Sequence, residues 1–424
     1  MRHILGGLMA VLILGFWVQS ASASDVEMTG NVSVSGSMNA AAVTGDGSGL
    51  TNIQGTAISN TSITVNQLAS NAVTADKLAS DAVTPGKIAF YSRVAIVDAN
   101  AGGNSLGYYT DPAYAMTHYS DWCSSPSATT PCLLKIMPGV YDIGSSDVMM
   151  RSYIDIEGSG ENVTRIKGNI VDSLLGVVNG ANNAELRFLT VEHMGGGNYS
   201  SAMYNSSASP KITNVTAIAS SASANNYGIY NDNSSPKMTN VTVNVTGTGS
   251  SNSRGIYNYT SSPSMMNVNI TVSGGSTARG IDNNASSAPL MIQGLVNVSG
   301  ASTWNIGIDN SASSAPEMDA IKIVASGGVN CTGLSASSSQ PSMFNVKIDA
   351  SGGSSFTRGV YSSGTSTIKI KFSSIKSTQA TISADAGGEV RVALSHFDGL
   401  SATGNVICAG VVDKDSGFLV SSCH

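Results

Sequence analysis

The sequence predicts an all-β solenoid of stacked coils, chiefly because residues 202–361 repeat about every 26 residues. Prolines recur at intervals of 26, 27, 26, 27 and 25 residues, at Pro210, Pro236, Pro263, Pro289, Pro316 and Pro341. A glycine followed by Ile, Leu or Val keeps the same period, at Gly228, Gly255, Gly280, Gly307, Gly333 and Gly359. A β-propeller blade needs about 40 residues, so the short period favours a solenoid.

Each repeat also alternates apolar and polar residues, as in Val241-Thr242-Val243-Asn244-Val245, which is typical of a strand with one buried face. One repeat cannot bury that face alone, whereas stacked repeats can, each strand pairing with its counterpart in the next coil. Like residues should therefore stack in inward columns: Ile229, Ile256, Ile281, Ile308, Leu334 and Val360, and Met238, Met265, Met291, Met318 and Met343. A turn column of Asn214, Asn240, Asn267 and Asn345 is interrupted at Gln293 and Ala320, where we expect irregularity.

Residues 1–23 have the pattern of a secretory signal peptide. An apolar stretch at 5–18 follows a short basic start and is too short for a comfortable membrane span. Ala21-Ser22-Ala23 fits a cleavage site, which makes Ser24 the expected mature start; an uncleaved anchor is the alternative. We therefore expect an extracellular or cell-surface protein with no membrane span after removal of the signal.

The composition agrees with export and argues against one class of partner. Charged residues make up 11% of the chain, against about 25% in ordinary globular proteins. The formal net charge is −6 and the chain has no basic run, so nucleic acid is not an expected partner.

Residues 24–90 differ from the rest and carry a decapeptide repeat, seen in Ile63-Thr64, Val73-Thr74 and Val83-Thr84. One apolar residue in five cannot build a core within one chain, but it could line a seam between several. The stretch resembles the shaft and neck segments of phage tail-fibre proteins and other trimeric surface fibres. That resemblance implies a non-globular stalk and a homotrimer through residues 45–90; a flexible exported linker is the alternative.

Residues 91–424 are expected to form the solenoid domain. Asp111–Tyr119 predicts a short helix with Pro112 near its start. The segments Pro138-Gly139-Val140-Tyr141 and Gly158-Ser159-Gly160-Glu161-Asn162-Val163-Thr164 resemble the first coils of the pectin-esterase and pectate-lyase-like group, where PGVY and GxGxxxT turns recur. Together with the repeat, they resemble the pectin-lyase-like superfamily. The resemblance implies a right-handed single-stranded parallel β-helix whose first coil is capped by a helix.

Five cysteines suggest two disulfides in an exported protein. Cys123 and Cys132 are nine residues apart around a Ser/Pro loop, and we expect them to pair. We also expect a Cys408–Cys423 bond to staple a C-terminal cap at residues 400–424. Cys331 is then a buried free thiol.

The sequence contains no recognisable catalytic motif. The segments used by pectin methylesterases, pectate lyases and polygalacturonases are not found, so no catalytic residue is assigned. Asp282 and Asp309 should lie on adjacent coils about 4.8 Å apart, both facing outward. They are weak candidates for calcium binding or for acid and base roles, and solvated carboxylates at turns are the alternative.

Tyr204, Tyr230 and Tyr257 each follow an inward residue, so they should form an exposed aromatic stack on three successive coils. Such a stack could bind polysaccharide; alternatively, the rings only stiffen the sheet. The main interpretation is a secreted or cell-surface β-helix protein, non-enzymatic, structural or adhesive, with possible polysaccharide binding on this stack. The alternative is a carbohydrate-active enzyme, a polysaccharide lyase or hydrolase, with an unrecognised site. Three or more carboxylates and a basic residue in one groove would favour the enzyme.

Overall fold

The computed structural model describes residues 35, 93–220, 222–399, 402–413 and 419–420. The solenoid belongs to the second of two units of the chain, residues 79–424. The predicted signal peptide lies outside the described residues, as does the predicted stalk apart from Ser35. Export and trimer formation therefore stay predictions.

Two short helices precede the regular coils, α1 (Pro112–Thr117) and α2 (Tyr119–Trp122). Asp111 caps α1, because its Oδ1 accepts a hydrogen bond from the Tyr114 backbone N–H at 2.9 Å. Pro112 occupies the first turn, where no backbone donor is needed. This confirms the predicted short helix. Within the described part of the chain, no helix has the length and apolar character to cross a membrane.

The remaining elements are strands, and together they form two parallel sheets. The strands are β1 (Arg93–Val97), β2 (Tyr108–Tyr109), β3 (Cys132–Ile136), β4 (Gly139–Asp142), β5 (Val148–Met149), β6 (Ile154–Glu157), β7 (Thr164–Gly168), β8 (Val178–Asn179), β9 (Glu185–His193), β10 (Tyr199–Ser206), β11 (Lys211–Ser220), β12 (Asn225–Asp232), β13 (Lys237–Gly247), β14 (Asn252–Tyr259), β15 (Ser264–Gly274), β16 (Thr277–Asn284), β17 (Leu290–Ser299), β18 (Trp304–Ser311), β19 (Glu317–Ser326), β20 (Asn330–Ser337), β21 (Ser342–Phe344), β22 (Lys347–Ser351), β23 (Phe356–Ser363), β24 (Thr367–Lys371), β25 (Ser374–Ser377), β26 (Ala380–Ala384), β27 (Glu389–Ala393), β28 (His396–Asp398), β29 (Ala402–Thr403), β30 (Val406–Ala409), β31 (Val411–Asp413) and β32 (Leu419–Val420).

Successive coils pair in parallel and in register. An 11-stranded sheet contains β5, β8, β10, β12, β14, β16, β18, β20, β23, β26 and β29, and the other 21 strands form the second sheet. Met238 pairs with Met265, and the column continues through Met291, Met318 and Met343. These stacked coils confirm the predicted all-β parallel β-helix. α1 packs against β1, β2 and β5 of the first coils, as expected of a cap.

The long strands of the 21-stranded sheet turn a corner at the predicted asparagine column. Asn214, Asn240 and Asn267 have φ of 51°, 53° and 55°, a left-handed conformation that asparagine tolerates better than most residues. Each amide also bonds the next, because Asn240 Nδ2 donates to Asn214 Oδ1 at 3.0 Å and Asn267 Nδ2 to Asn240 Oδ1 at 2.9 Å. We call these three residues the outer asparagine ladder.

The expected irregularity near Gln293 and Ala320 appears at Gly294, which has a φ of 152°, and not at the corner residues themselves. Both residues keep the corner conformation, with φ of 56° and 55°. The next residue, Gly294, takes the place that Val268 and Ile321 occupy in neighbouring coils. A small internal cavity lies near this corner, and its lining includes Val268, Gln293 and Ile321.

A second ladder, which the sequence analysis missed, runs inside the solenoid. It consists of five fully buried asparagines, Asn205, Asn231, Asn258, Asn283 and Asn310. Each Nδ2 donates to the Oδ1 of the next residue at 2.8–2.9 Å. The last donor, on Asn310, bonds the Ser335 carbonyl at 3.0 Å. We call these five residues the inner asparagine ladder.

The cysteine assignments agree with the structure where it describes them. Cys123 and Cys132 form the predicted disulfide, and Cys331 is the predicted buried free thiol. Burial raises the pKa of Cys331 to about 11. Cys408 is disulfide-bonded, but Cys423 lies outside the described residues, so that pairing stays a prediction. Parallel stacking ends where β31 and β32 pair antiparallel.

Candidate functional site

A backbone irregularity at the repeated glycine sets the outward face of the 11-stranded sheet. At Gly228, a Cβ would lie 2.2 Å from Val243 Cγ1 and 2.7 Å from the Gly255 carbonyl oxygen, so only glycine fits. Gly228 and Ile229 are both buried, although they are consecutive. Strict alternation is therefore broken, and the residues on either side, Tyr227 and Tyr230, both face outward.

Five tyrosines form a continuous aromatic cluster on this face, which we call the tyrosine ladder: Tyr204, Tyr227, Tyr230, Tyr257 and Tyr259. Tyr204 pairs in register with Tyr230, and Tyr230 with Tyr257. Both ring-centroid distances are 5.0 Å, which confirms the predicted stack.

The sequence analysis missed two members of the ladder. The Tyr227 ring lies 5.1 Å from Tyr230 and 5.8 Å from Tyr257. The Tyr259 ring lies 6.5 Å from Tyr257. Tyr227 directly precedes a repeat glycine and Tyr259 comes four residues after one, so their positions within the repeat were a usable signal.

The prediction that all three stacked tyrosines are exposed is wrong for Tyr204. Its exposure is only 6%, because the Tyr230 ring packs edge-on against it. The Tyr204 hydroxyl donates to Asp232 Oδ2 at 3.3 Å. Tyr230 and Tyr257 are partly exposed, and Tyr259 is 43% exposed. The accessible surface of the ladder therefore begins at Tyr230.

Two arginines continue the face beyond the ladder, each pairing with an aspartate one coil further on. Arg254 Nε donates to Asp282 Oδ2 at 2.7 Å, and Arg279 Nε donates to Asp309 Oδ2 at 2.8 Å. Arg279 also lies 3.8 Å from Asp282. The Arg254 guanidinium sits 5.1 Å from the centre of the Tyr257 ring.

Asp282 and Asp309 lie on adjacent coils as predicted, but they are not open carboxylates. Asp282 is only 6% exposed, because Arg254 and Arg279 fold over it. Burial raises the pKa of Asp282, against the opposing charges of the two arginines.

Calcium does not fit this donor set well. The ion takes six to eight oxygen ligands, whereas both carboxylates here already face guanidinium groups. The described residues also contain no cluster of three or more side chains suited to a metal. Calcium binding at Asp282 and Asp309 stays an untested prediction.

A second aromatic cluster lies further along the same face, and we call it the arginine–aromatic patch: Trp304, Phe356, Arg358 and Tyr361. The Trp304 and Phe356 rings are 5.3 Å apart. The Arg358 guanidinium lies 4.1 Å from the Phe356 ring centre and 4.4 Å from that of Tyr361. All four residues are partly exposed.

The other sheet carries a cluster of three carboxylates around one arginine, which meets the sequence criterion for an enzyme in residue types. Arg187 forms ion pairs with Asp155, Glu157 and Glu185 at 2.8–3.3 Å. Burial acts to raise the pKa of Glu157, but hydrogen bonds from Lys135 and Arg187 lower it overall. Because a general acid needs a raised pKa, this cluster is better suited to holding coils together.

Near the C-terminal end, the corner column changes from asparagine to apolar residues. Phe372 and Leu394 keep the left-handed conformation, with φ of 51° and 48°, and are 51% and 57% exposed. With Lys347 and His396 they line an open groove of about 690 Å³.

These features define a class, a parallel β-helix with an aromatic strip along one outward face. No protein-family model matches the sequence, and no curated protein resembles it at a significant level. Similar solved structures were found, and their likeness concerns the fold.

One similar structure is the A-module of the mannuronan C-5 epimerase AlgE6 from Azotobacter vinelandii, with 13% identity and a TM-score of 0.43. The match covers 72% of this chain and 95% of the module. Tailspike protein 3 of bacteriophage CBA120 has 10% identity and a TM-score of 0.46, over 76% of this chain and 58% of the tailspike. The catalytic domain of a GH87 alpha-1,3-glucanase, in complex with nigerose, has 12% identity and a TM-score of 0.38, over 76% and 66%.

Proposed function

We propose that this protein is an extracellular or cell-surface β-helix whose tyrosine ladder binds polysaccharide. The observation that carries the proposal is the run of contacting rings across three successive coils, which is partly open on the two coils that carry Tyr230 and Tyr257. Coils in such a stack are about 4.8 Å apart, so the rings form a strip along the solenoid axis. An extended sugar chain could lie along that strip and contact one ring after another.

The chemistry of the strip suits sugars. A tyrosine ring offers an apolar face to the C–H side of a pyranose and a hydroxyl to its polar groups. Burial and the nearby Asp232 raise the pKa of Tyr230, so its hydroxyl is a donor at neutral pH. The rings already pack against one another, so little side-chain freedom is lost on binding.

The direct test is the double variant Tyr230→Ala with Tyr257→Ala, assayed by affinity electrophoresis in gels cast with a panel of soluble polysaccharides. Losing two stacking rings should weaken binding by about tenfold or more. Tyr114→Ala is the matched control, since Tyr114 is an exposed tyrosine on α1, away from the ladder. If the double variant is retarded as strongly as the wild type in every gel that retards the wild type, the ladder is not the binding site.

One observation supports an enzyme as a second candidate. Asp282, whose pKa is raised by burial, lies next to Asp309 in the column that continues from Tyr257. Two neighbouring carboxyls in different environments can divide acid and base roles, and Asp282 is the more deeply buried of this pair. Release of reducing ends from a bound polysaccharide, lost in Asp282→Asn, would establish this activity; binding without release would argue against it.

Export is part of the proposal and has its own test. The supporting sequence is the apolar segment followed by Ala21-Ser22-Ala23. The protein recovered from outside the producing cell should begin at Ser24 by N-terminal sequencing. A mature chain that keeps Met1 would show an uncleaved anchor.

Trimer formation through residues 45–90 is the remaining part of the proposal. Light scattering on residues 24–424 should give three times the chain mass, and residues 91–424 alone should give one. A monomer for the longer chain would remove the trimer and leave the binding site untouched.

A further inference from the structure

We infer that Arg358 and the rings around it form a second subsite on this face, which binds an acidic group, carboxylate or sulfate, of the polysaccharide. This inference deepens the proposed function and rests on it. The tyrosine ladder would hold the neutral faces of the sugar chain, and the arginine–aromatic patch would select for charge.

Two arginine–aspartate pairs on this face follow the same spacing rule. Arg254 and Arg279 occupy one outward column, and each donates to an aspartate in the neighbouring column, one coil further on. Arg358 lies in the same column, three coils beyond Arg279. By the same rule its acceptor would be the residue in register with Tyr361, which is Ser383.

A serine cannot neutralise the guanidinium, so Arg358 has lost the partner that the other two arginines keep. Among the described residues, Arg358 forms no ion pair within 4.0 Å. Asp385 is engaged elsewhere, because it accepts the Tyr361 hydroxyl at 2.5 Å. The chain therefore leaves one cation of the column available to a ligand.

The surroundings of Arg358 indicate what kind of acid would bind. Phe356 and Tyr361 flank the guanidinium plane at 4.1 and 4.4 Å, and Trp304 extends the apolar surface beside Phe356. The rings hold the side chain in place and leave its N–H edges free to donate, a geometry that suits an oxyanion. An acidic group attached to a sugar ring would satisfy both the cation and the flanking aromatic faces.

The distance between the arginine–aromatic patch and the tyrosine ladder also suits one ligand that contacts both. Tyr257 and Tyr361 lie in one column, separated by four coil steps through Asp282, Asp309 and Ser335. At about 4.8 Å per step, the two sites are about 19 Å apart along the axis. A chain of several sugar residues could therefore contact both.

The test uses an array of neutral, uronate-containing and sulfated oligosaccharides of matched length, probed with the full chain, with the tyrosine variant (Tyr230→Ala with Tyr257→Ala) and with three further variants. Arg358→Ala removes the cation. Ser383→Asp supplies the missing carboxylate from within the chain, as Asp282 does for Arg254. Ser383→Asn is its matched control, with the same size and no charge. Thermal melting of each variant checks that the coils remain folded.

We expect binding to uronate or sulfated spots to fall about tenfold or more in Arg358→Ala and Ser383→Asp, and to stay unchanged in Ser383→Asn. Whichever spots respond identify the acid as carboxylate or sulfate. Binding to neutral spots should depend on Tyr230 and Tyr257 alone.

Three outcomes would overturn the inference, and they separate it from the proposed function. If acidic spots bind equally to wild type and Arg358→Ala, the patch is not a subsite. If only neutral spots bind, and the tyrosine variant loses them, the proposed function stands without acid selection. If no spot binds, both fail together.

Discussion

The inner and outer asparagine ladders carry the same side-chain hydrogen bond in two different places, one inside the solenoid on the 11-stranded sheet and one on the outside of the 21-stranded sheet. In the inner ladder every amide is fully buried, so its only partners are other protein groups. In the outer ladder Asn240 and Asn267 are exposed, and water can replace a lost partner. The inner ladder should therefore matter for its hydrogen bonds, and the outer ladder for its backbone conformation.

The ends of the two ladders support this contrast. The outer ladder stops at Gln293 and Ala320, yet the corner keeps its φ. The inner ladder stops at a buried alanine, Ala336, and there the last amide donates to a backbone carbonyl instead. A buried amide donor needs an acceptor within the protein, whereas an exposed donor can bond to water.

The largest effect is expected from Asn258→Leu in the inner ladder. The substitution leaves Asn231 Nδ2 without an acceptor and Asn283 Oδ1 without a donor, both buried. We expect the free energy of unfolding to fall by about 3 kcal/mol, measured by urea denaturation. A loss below about 1 kcal/mol would contradict the comparison.

A smaller loss is expected from Asn240→Ala in the outer ladder. Alanine at a φ of 53° should cost about 1 kcal/mol relative to asparagine, because it lacks the short polar side chain that helps asparagine tolerate the left-handed conformation. Asn240→Gly removes the same hydrogen bonds but tolerates the conformation, so it should stay close to wild type. If glycine destabilises as much as alanine, the hydrogen bonds of the outer ladder matter more than its backbone.

A modest gain in stability is expected from a substitution at the corner where the outer column changes from asparagine to apolar residues. Phe372→Asn keeps the left-handed conformation with a better suited residue and removes an exposed ring, so stability should rise by about 0.5 kcal/mol. Phe344→Asn is the matched control, since Phe344 is also exposed and packs 5.3 Å from Phe372, but has no positive φ. The control should not gain, and an equal gain would assign the effect to lost surface apolarity.

The smallest effect is expected in the pH dependence of stability, through the buried thiol of Cys331. The pKa of Cys331 is raised by burial from 9.0 to about 11 in the folded chain. The thiol therefore favours the folded state fully below pH 9, and this contribution is lost as the pH rises towards 11. At pH 9 wild type should lose about 0.4 kcal/mol relative to Cys331→Ala. Equal pH dependence of the two proteins would show that the thiol is not shielded.

The columns of the solenoid could be predicted because the repeat aligns one coil with the next. Once Pro236 and Pro263 are aligned, Met238 must stack on Met265 and Tyr230 on Tyr257. The corner column of Asn240 could also be placed, since a recurring asparagine in a turn has a clear conformational reason.

The inner ladder was missed because an inward polar residue contradicts the alternation rule. An asparagine does follow four successive repeat glycines by three positions, at Asn231, Asn258, Asn283 and Asn310. Only the stacked coils show that each amide supplies the partner of the next.

The exposure of side chains on the outward face was the other property that could not be predicted from the sequence. The burial of Tyr204 and Asp282 depends on which way the long Tyr230, Arg254 and Arg279 side chains fold. A column assignment gives the face of a residue, but not the neighbours that cover it.

The glycine column has a consequence for how the gene can change. At Gly255 a Cβ would lie 2.3 Å from Ile270 Cγ2 and 2.5 Å from the Gly280 carbonyl oxygen, so neighbouring coils share one cross-section. Duplicating or deleting 26 or 27 codons would insert or remove a complete layer whose upper and lower surfaces match what was there before. The length of the solenoid is therefore open to stepwise evolution, while any fractional step breaks the register.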